Sequence, residues 1–332
     1  MPTSTRERAR RGGALLAVLW LSAALAAIAF SIATTVRGET ERTATAVDGA
    51  RGYYLAKGGL YRTALHIAWS RFNPALPVPY KPTGPVIDVL TFPAGEVRVE
   101  MIPENAKLHI NMTPPEVLFR LLVNLGTAPE RAHEIAAAIQ DWRAPVPDGG
   151  LSPFDQFYLS RNPSFRARHA SLEEIEELLL VKGMTPDIYY GTWQRAAGGG
   201  EDARLVRLGG LADCVSVFGS AGRHDANTAH PAVLSAVGVP PDVIAAILER
   251  RRMMPFQNDM ELFQFLQSAG PAAARLCVGG DTTWTLRATA RLRLSNGALS
   301  DMRRTVAAQV KFMSYGEPFH VLRWYDTAWG RN

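Results

Sequence analysis

The stretch ALLAVLWLSAALAAIAFSIATTV, residues 14–36, determines how the rest of this sequence is interpreted. None of its 23 residues carries a charge. As a helix rising about 1.5 Å per residue it would be roughly 35 Å long, enough to cross a hydrocarbon core of about 30 Å. Its polar side chains are small hydroxyls, which a membrane helix tolerates. The stretch therefore predicts a membrane-spanning helix.

Three interpretations of this N-terminal region remain open from the residues alone. A cleaved secretory signal has a shorter apolar region of about 7–15 residues and a small-residue cleavage site. A plain single-pass anchor fits the length, with the preceding arginines on the cytoplasmic side. A prepilin leader is short and basic and ends in glycine, which fits Arg10-Arg11-Gly12-Gly13.

The helical pattern continues beyond the apolar stretch. Charged residues from Arg37 onward mark the exit into water. An apolar stripe then recurs at helical spacing, and its residues are predicted to pack against partner helices: Tyr54, Tyr61, Leu65, Ala68 and Phe72. Asn73-Pro74 ends the pattern. One helix of about sixty residues results, half of it in the membrane.

The remaining chain predicts an α+β fold. Prolines mark residues 74–85 as a loop, and short alternating segments follow at 86–90, 96–102 and 107–110. The strand pattern returns at 283–294, 302–312 and 319–324, with Ser295-Asn296-Gly297 as a hairpin turn. The simplest architecture is a pilin-like long N-terminal helix packed on an antiparallel sheet, with a large inserted α-helical domain at 113–280.

This inserted region repeats itself. The segment NMTPPEVL at 111–118 parallels NTAHPAVL at 227–234, with Asn, Pro, Val and Leu at the same offsets. Each copy runs into a glycine, Gly126 or Gly238, and then into a proline-initiated helix that ends in arginine. The pattern predicts helix-hairpin-helix-like repeats in two related halves, about 109–200 and 210–280.

Together these pieces resemble the large minor pseudopilin of bacterial type II secretion, its K component. The paired repeat segments carry the resemblance, together with RGGALLAVLW (11–20), GYYLAKGGLYRTAL (52–65), AIQDWR (138–143), EELLLVKGMTPDIY (176–189) and PFHVLRWYD (318–326). The similar stretches keep their order along essentially the whole chain.

The resemblance implies a processing site and a topology. Prepilin peptidase would cut after Gly12 and leave Gly13 as a methylated N-terminus, with a cut after Gly13 as the alternative. Residues 1–12 would be the leader, 13–36 the transmembrane half of the helix in the inner membrane, and 37–112 the periplasmic helix and first strands. Residues 113–280 would be the insert and 281–332 the last strands, so that the C-terminal bulk is periplasmic.

The resemblance also implies a function and partners. The chain would cap the tip of the pseudopilus, initiate its assembly and support export of folded proteins across the outer membrane. Its partners would be minor pseudopilins I and J, the major pseudopilin and the inner-membrane assembly platform, with no nucleic acid. Ala17 stands where most pilins carry a glutamate, a departure typical of the K component. The alternative is a membrane-anchored, competence-type helix-hairpin-helix protein that binds DNA.

Further expectations concern ligands and catalysis. Family members often carry a calcium-associated acidic loop after the DWR segment, and Asp141, Asp148 and Asp155 are its counterparts here. Calcium prefers six to eight oxygen ligands, so helix-capping or surface aspartates are the alternative. Cys214 and Cys277 are predicted to form a disulfide in an oxidising periplasm, or else to be free. His133-Glu134 lacks the second histidine of HExxH, and a non-enzymatic protein is expected.

Overall fold

The chain forms a long helix, a five-stranded sheet and a helical body inserted between two strands of that sheet. The computed structural model describes residues 4–73, 87–147, 150–195, 205–267, 270–279, 282–313 and 317–327, with side chains from Leu15 onward except that of Phe72. The helices are α1 (Ser4–Phe72), α2 (Pro115–Asn124), α3 (Pro129–Arg143), α4 (Asp155–Leu159), α5 (Pro186–Tyr190), α6 (Leu211–Cys214), α7 (Pro231–Ala236), α8 (Pro241–Met253) and α9 (Asp259–Phe265). The strands are β1 (Ile87–Phe92), β2 (Gly95–Pro103), β3 (Leu108–His109), β4 (Trp193–Arg195), β5 (Leu205–Arg207), β6 (Val215–Ser216), β7 (His224–Asp225), β8 (Leu276–Cys277), β9 (Thr283–Arg293), β10 (Leu299–Phe312) and β11 (Phe319–Tyr325).

One antiparallel sheet contains the strands that precede the insert and the strands that follow it. Its strand order is β1-β2-β9-β10-β11, and the β2–β9 pair links the strands before the insert to those after it. Side chains alternate along each strand, so that Val97 and Val99 of β2 and Leu286 and Ala288 of β9 are all buried on one face. The predicted α+β fold is confirmed. The predicted loop at 74–85 lies outside the described residues.

Helix α1 covers the buried face of this sheet. Ala56, Leu60, Ala64 and Ile67 are fully buried, and their spacing places them on one side of the helix. At Gly59 the helix backbone comes so close to β2 that an added Cβ would lie 2.5 Å from a Val97 methyl group. Glycine at this position therefore lets the helix and the sheet approach each other.

The prediction of a sheet strand at 107–110 is wrong. The chain leaves the sheet in a 3₁₀ turn, Glu104–Ala106. The strand that follows, β3, then pairs in parallel with β6, which belongs to the insert. A two-residue strand in a parallel pair carries no alternating pattern that could identify its partner.

The insert contains two units of similar build, which we call the first unit (residues 108–216) and the second unit (residues 224–277). The first unit opens with β3 and closes with β6, and the second opens with β7 and closes with β8, each pair being parallel. Between these strands each unit has a helical hairpin, α2–α3 or α7–α8. The two units meet where Val233 and Ala236 of α7 join the apolar core of the first unit.

Candidate assembly surface

The face of α1 that points away from the sheet is apolar and exposed. Val47, Tyr54, Leu65 and Trp69 are 44, 69, 52 and 57% exposed. Their spacing keeps them on one side of the helix, and we call these four residues the outer stripe. Exposed apolar surface of this kind marks protein interaction sites. The outer stripe is therefore the candidate surface for packing against another helix.

The five residues of the predicted stripe have different surroundings. Tyr54 and Leu65 belong to the outer stripe. Tyr61 is half-buried against β11. Ala68 is only 2% exposed in the helix–sheet core, so its assignment to a partner-facing stripe was wrong. The side chain of Phe72 lies outside the described residues.

The helical repeat explains both this error and two residues that the sequence analysis missed. Successive residues of a helix differ in direction by about 100°, so neighbouring positions diverge in burial. Ala68 lies on the flank that turns toward the sheet, whereas the next residue, Trp69, points outward. Val47 lies seven residues before Tyr54 on the same side. A step of seven residues back from Tyr54 and a step of four residues on from Leu65 would have identified Val47 and Trp69.

The last strand, β11, occupies the flank of α1 beside the outer stripe. The Tyr61 ring stacks on Trp324 with centroids 6.1 Å apart. Tyr53 Oη donates a hydrogen bond to Asp326 Oδ1 at 2.9 Å, and Trp324 Nε1 donates to the same oxygen at 2.8 Å. These two bonds lower the pKa of the Asp326 carboxyl. Because the C-terminal strand covers this flank, the surface left for a partner is narrower than the predicted stripe.

Upstream of the sheet, the apolar part of α1 is exposed along its described side chains. Within the described residues it is the one helix long and apolar enough, by length and composition, to cross a membrane. Every side chain from Leu15 to Arg37 is exposed. Gly12 and Gly13 lie in the N-terminal backbone of the same helix, and cleavage beside them stays a prediction.

Matching asparagines form equivalent hydrogen bonds within each of the two units of the insert. The Asn111 amide exchanges two hydrogen bonds with the backbone of Leu172, at 2.9 and 2.8 Å. The Asn227 amide does the same with the backbone of Phe256, at 2.9 and 2.9 Å. We call these two arrangements the asparagine clamps. They explain why asparagine stands at the same offset in both repeat segments.

Matching arginines complete the duplication. Arg143, at the end of α3, donates to the carbonyl oxygens of Ile110 and Thr113. Arg251 in α8 donates to the carbonyl oxygens of Ala226 and Ala229. In both units the arginine therefore satisfies the backbone just before the first hairpin helix.

The hairpin turns leave few backbone donors for a phosphate. In the first unit, the Gly126 amide donates to the carbonyl oxygen of Val123, and the Thr127 amide donates to that of Leu122. In the second unit, the Gly238 amide donates to the carbonyl oxygen of Ser235, and the Val239 amide donates to that of Leu234. Each turn is followed by a proline at the first position of the next helix. A phosphate cradle needs free amides at such a turn, and these four are already bonded. This geometry weighs against the DNA-binding alternative.

Two of the three aspartates expected to hold calcium are bonded within the protein. Asp155 is fully buried, and its Oδ2 accepts a hydrogen bond from the Ser152 amide at 2.8 Å. His169 Nε2 lies 3.1 Å from that oxygen and 3.2 Å from Oδ1. Asp141 Oδ2 accepts a bond from Ser152 Oγ at 2.7 Å. Asp148 lies outside the described residues.

This donor set does not fit calcium. The ion prefers six to eight oxygens, and the described residues contain no cluster of three or more potential metal-binding side chains. Where a cation would approach Asp155, a histidine nitrogen faces both carboxylate oxygens. Burial raises the pKa of the Asp155 carboxyl, but the Ser152 amide and His169 outweigh it and lower the pKa below its usual value. The carboxylate fixes the loop after α3 through protein partners.

The two cysteines lie in different parts of the insert and are not joined by a disulfide. Cys214 is buried in the core of the first unit. Cys277 lies in the closing strand of the second unit, where burial raises the pKa of its thiol to about 12. The predicted disulfide is not formed in this structure, because each thiol is held within its own unit.

Comparison with known proteins identifies relatives of the chain. Residues 101–191 match the family model for the type II secretion system (T2SS), protein K. The chain is 27% identical over 204 residues to the type II secretion system protein K of Klebsiella pneumoniae, and 28% identical over 202 residues to that of Pectobacterium carotovorum subsp. carotovorum. Each match covers 54% of this chain and 60% of the relative, so the chain spans about three fifths of the length of the curated relatives it matches.

A solved structure has the same fold. The chain matches one from the GspK-GspI-GspJ complex of the enterotoxigenic Escherichia coli type 2 secretion system with a TM-score of 0.55 and 17% identity. The match covers 89% of this chain and 99% of the other. Together the comparisons confirm the resemblance to protein K of type II secretion that the sequence predicted.

Proposed function

We propose that this chain, which is similar in sequence and fold to protein K of type II secretion, is a minor pseudopilin at the tip of the pseudopilus. There it would initiate assembly and support export of folded proteins across the outer membrane. The observation that carries the proposal is the division of α1 between a face docked on the sheet and an exposed apolar outer stripe. The stripe follows directly on an apolar segment long enough to span a membrane.

The helix supports a single-pass anchor in the inner membrane. Arginines before the apolar segment favour a cytoplasmic N-terminus, which leaves the sheet and the insert in the periplasm. Prepilin peptidase would cut after Gly12, so that the mature chain begins at Gly13 with a methylated amine. Mass spectrometry of the purified mature protein tests this step. A chain that starts at Gly13 supports it, and one that starts at Met1 or near Ala29 contradicts it.

Assembly would proceed by packing of the outer stripe against other pseudopilins. The solved relative was crystallised as a complex of GspK, GspI and GspJ, which supports minor pseudopilins I and J as the first partners. The major pseudopilin and the inner-membrane platform would follow. The bulky insert confines the subunit to the tip, because two further helical units leave no room for a subunit stacked above it.

Export in a strain that lacks the chromosomal copy tests the function. The double variant Tyr54→Asp, Leu65→Asp places two charges on the outer stripe and is expected to abolish secretion. Thr45→Asp, an exposed position on the opposite side of α1, is the matched control and is expected to secrete normally. Normal secretion by the double variant, at wild-type protein levels, would contradict the assembly role of the stripe.

A further inference from the structure

An apolar groove opens on the outer side of the first unit of the insert. It has a volume of about 550 Å³ and lies between α2, α3 and the loop residue Phe154, which precedes α4. Phe119, Ala137 and Phe154 contribute apolar surface to it. Glu116 and Asp141 contribute carboxylates. We call this feature the first-unit groove, and nothing in the described part of the chain fills it.

The duplication of the insert identifies the same face on the second unit. Pro115 and Pro231 are the first residues of the equivalent helices α2 and α7. Ala144 and Arg252 each follow the arginine that bonds the backbone before the hairpin. Pro115 and Ala144 line the first-unit groove, and Pro231 and Arg252 line a cleft of about 600 Å³ in the second unit. The groove and the cleft therefore occupy equivalent faces of the two units.

What lies opposite these faces differs between the units. Across the cleft, the second unit faces Glu100 and Ile102 of β2, on the side of the sheet away from α1. No strand in the described part of the chain lines the first-unit groove. Within this molecule, this face of a unit therefore lies opposite a pilin-like sheet. The sheet directs one apolar side chain, Ile102, and one charged side chain, Glu100, toward the unit.

The charges around the two faces are opposite. The second unit brings Arg251 and Arg252 to the cleft, where the sheet supplies Glu100, whose carboxylate is also paired with Arg287 of β9. The first unit brings Glu116 and Asp141 to its groove. A sheet that fits the first-unit groove must therefore present basic side chains where β2 presents an acidic one.

We propose that the first-unit groove receives the sheet of a second pilin-like subunit, through an apolar side chain flanked by lysine or arginine. The apolar surface of Phe119, Ala137 and Phe154 would bury the apolar side chain, and Glu116 and Asp141 would pair with the basic ones. This inference rests on the proposed function, because it takes the partner from among the other pseudopilins. It adds a contact through the insert that is separate from the outer stripe on α1.

Binding of the full-length chain in detergent to the purified soluble domains of minor pseudopilins I and J tests the inference. Ala137→Glu places a charge in the groove and is expected to weaken binding of one of them at least tenfold. Ala246→Glu, an exposed alanine of α8 that does not line the cleft, is the matched control and is expected to bind like wild type. Glu116→Lys is expected to weaken binding as well, with a smaller dependence on salt than the wild-type chain. Thermal melting of each variant checks that the fold is kept.

The outcomes separate this inference from the proposed function. If the wild-type chain binds and the Ala137→Glu and Glu116→Lys variants bind equally well, the proposed role of the groove is contradicted and the proposed function is not. Absence of binding by the wild-type chain to both partners would contradict the proposed function and the groove with it. A loss in both groove variants, with normal binding by Ala246→Glu, supports the inference.

Discussion

The pilin-like part and the insert bury their chains in different ways. In the pilin-like part, α1 closes the sheet with one face and leaves the outer stripe bare. In the insert, polar clamps fix each helical hairpin, and apolar side chains close on one another within and between the units. The first part therefore leaves an exposed apolar stripe on α1, whereas the second buries most of its apolar side chains within itself apart from its groove.

The largest expected effect sharpens the contrast between the two faces of α1. Leu60→Ala empties a fully buried site between helix and sheet and is expected to lower the free energy of unfolding by about 2–5 kcal/mol. Leu65→Ala shortens a leucine of the outer stripe in the same way and is expected to change the free energy of unfolding by less than about 0.5 kcal/mol. Urea unfolding of both variants gives the comparison. Equal losses would mean that the two faces of the helix do not differ as described.

The next prediction concerns the asparagine clamps, because hydrogen bonds stabilise the insert where apolar contacts stabilise the pairing of α1 with the sheet. Asn111→Ala removes both partners of the Leu172 backbone amide and carbonyl and is expected to cost about 1–3 kcal/mol. Asn227→Ala is expected to cost a similar amount at Phe256. Asn124→Ala, at an exposed position in α2, serves as the control for both. If either clamp variant loses no more stability than the Asn124→Ala control, the two clamps do not have equivalent roles in the two units.

Two neighbouring glycines probe the same helix on a smaller scale. Gly58 has open space around it, so Gly58→Ala is expected to raise the stability of the isolated chain by up to about 1 kcal/mol through helix propensity. Gly59→Ala puts a methyl group against Val97 and is expected to destabilise by about 1–3 kcal/mol. Thermal melting distinguishes them by sign. A stabilising Gly59→Ala would show that the helix does not lie so close to β2.

The smallest expected effect concerns calcium and the insert. Because Asp141 and Asp155 are bonded to Ser152 and His169, adding 1 mM calcium or removing it with a chelator is expected to leave the melting temperature unchanged within about 1 °C. A ligand at a hundred times its dissociation constant stabilises by about 2.7 kcal/mol, which would shift the melting temperature by several degrees. A shift of that size would show that calcium binds. As a positive check, Asp155→Ala is expected to destabilise the first unit.

Much of the fold could be predicted because its elements have patterns that are visible in the sequence. The uncharged stretch predicts α1, alternation predicts the sheet strands, and the matching offsets of asparagine and glycine in the two repeat segments indicate the duplicated units. The sequence could not supply the partners in contacts that no periodic pattern, repeat or motif indicates. The partner of Asp155 is His169, fourteen residues away and without any motif. The parallel pairing of β3 with β6 spans more than a hundred residues.

The candidate surface was predicted in part for the same reason. Helical spacing placed Tyr54 and Leu65 on one side of the helix, and both are exposed there. It does not report how far the sheet extends around that side. Ala68 therefore falls into the core, and β11 covers Tyr61. The groove of the first unit lies between two helices and a loop, which no single periodic pattern reveals.

Site-specific photo-cross-linking tests the central claim most directly, namely that the outer stripe of α1 is an assembly surface. A photoreactive residue is placed at Leu65, or at Thr45 as the control, in cells that also produce minor pseudopilins I and J. We predict a covalent product between the chain and one of these pseudopilins from position 65 and none from position 45. The absence of a product from position 65, or equal products from both positions, would contradict the account.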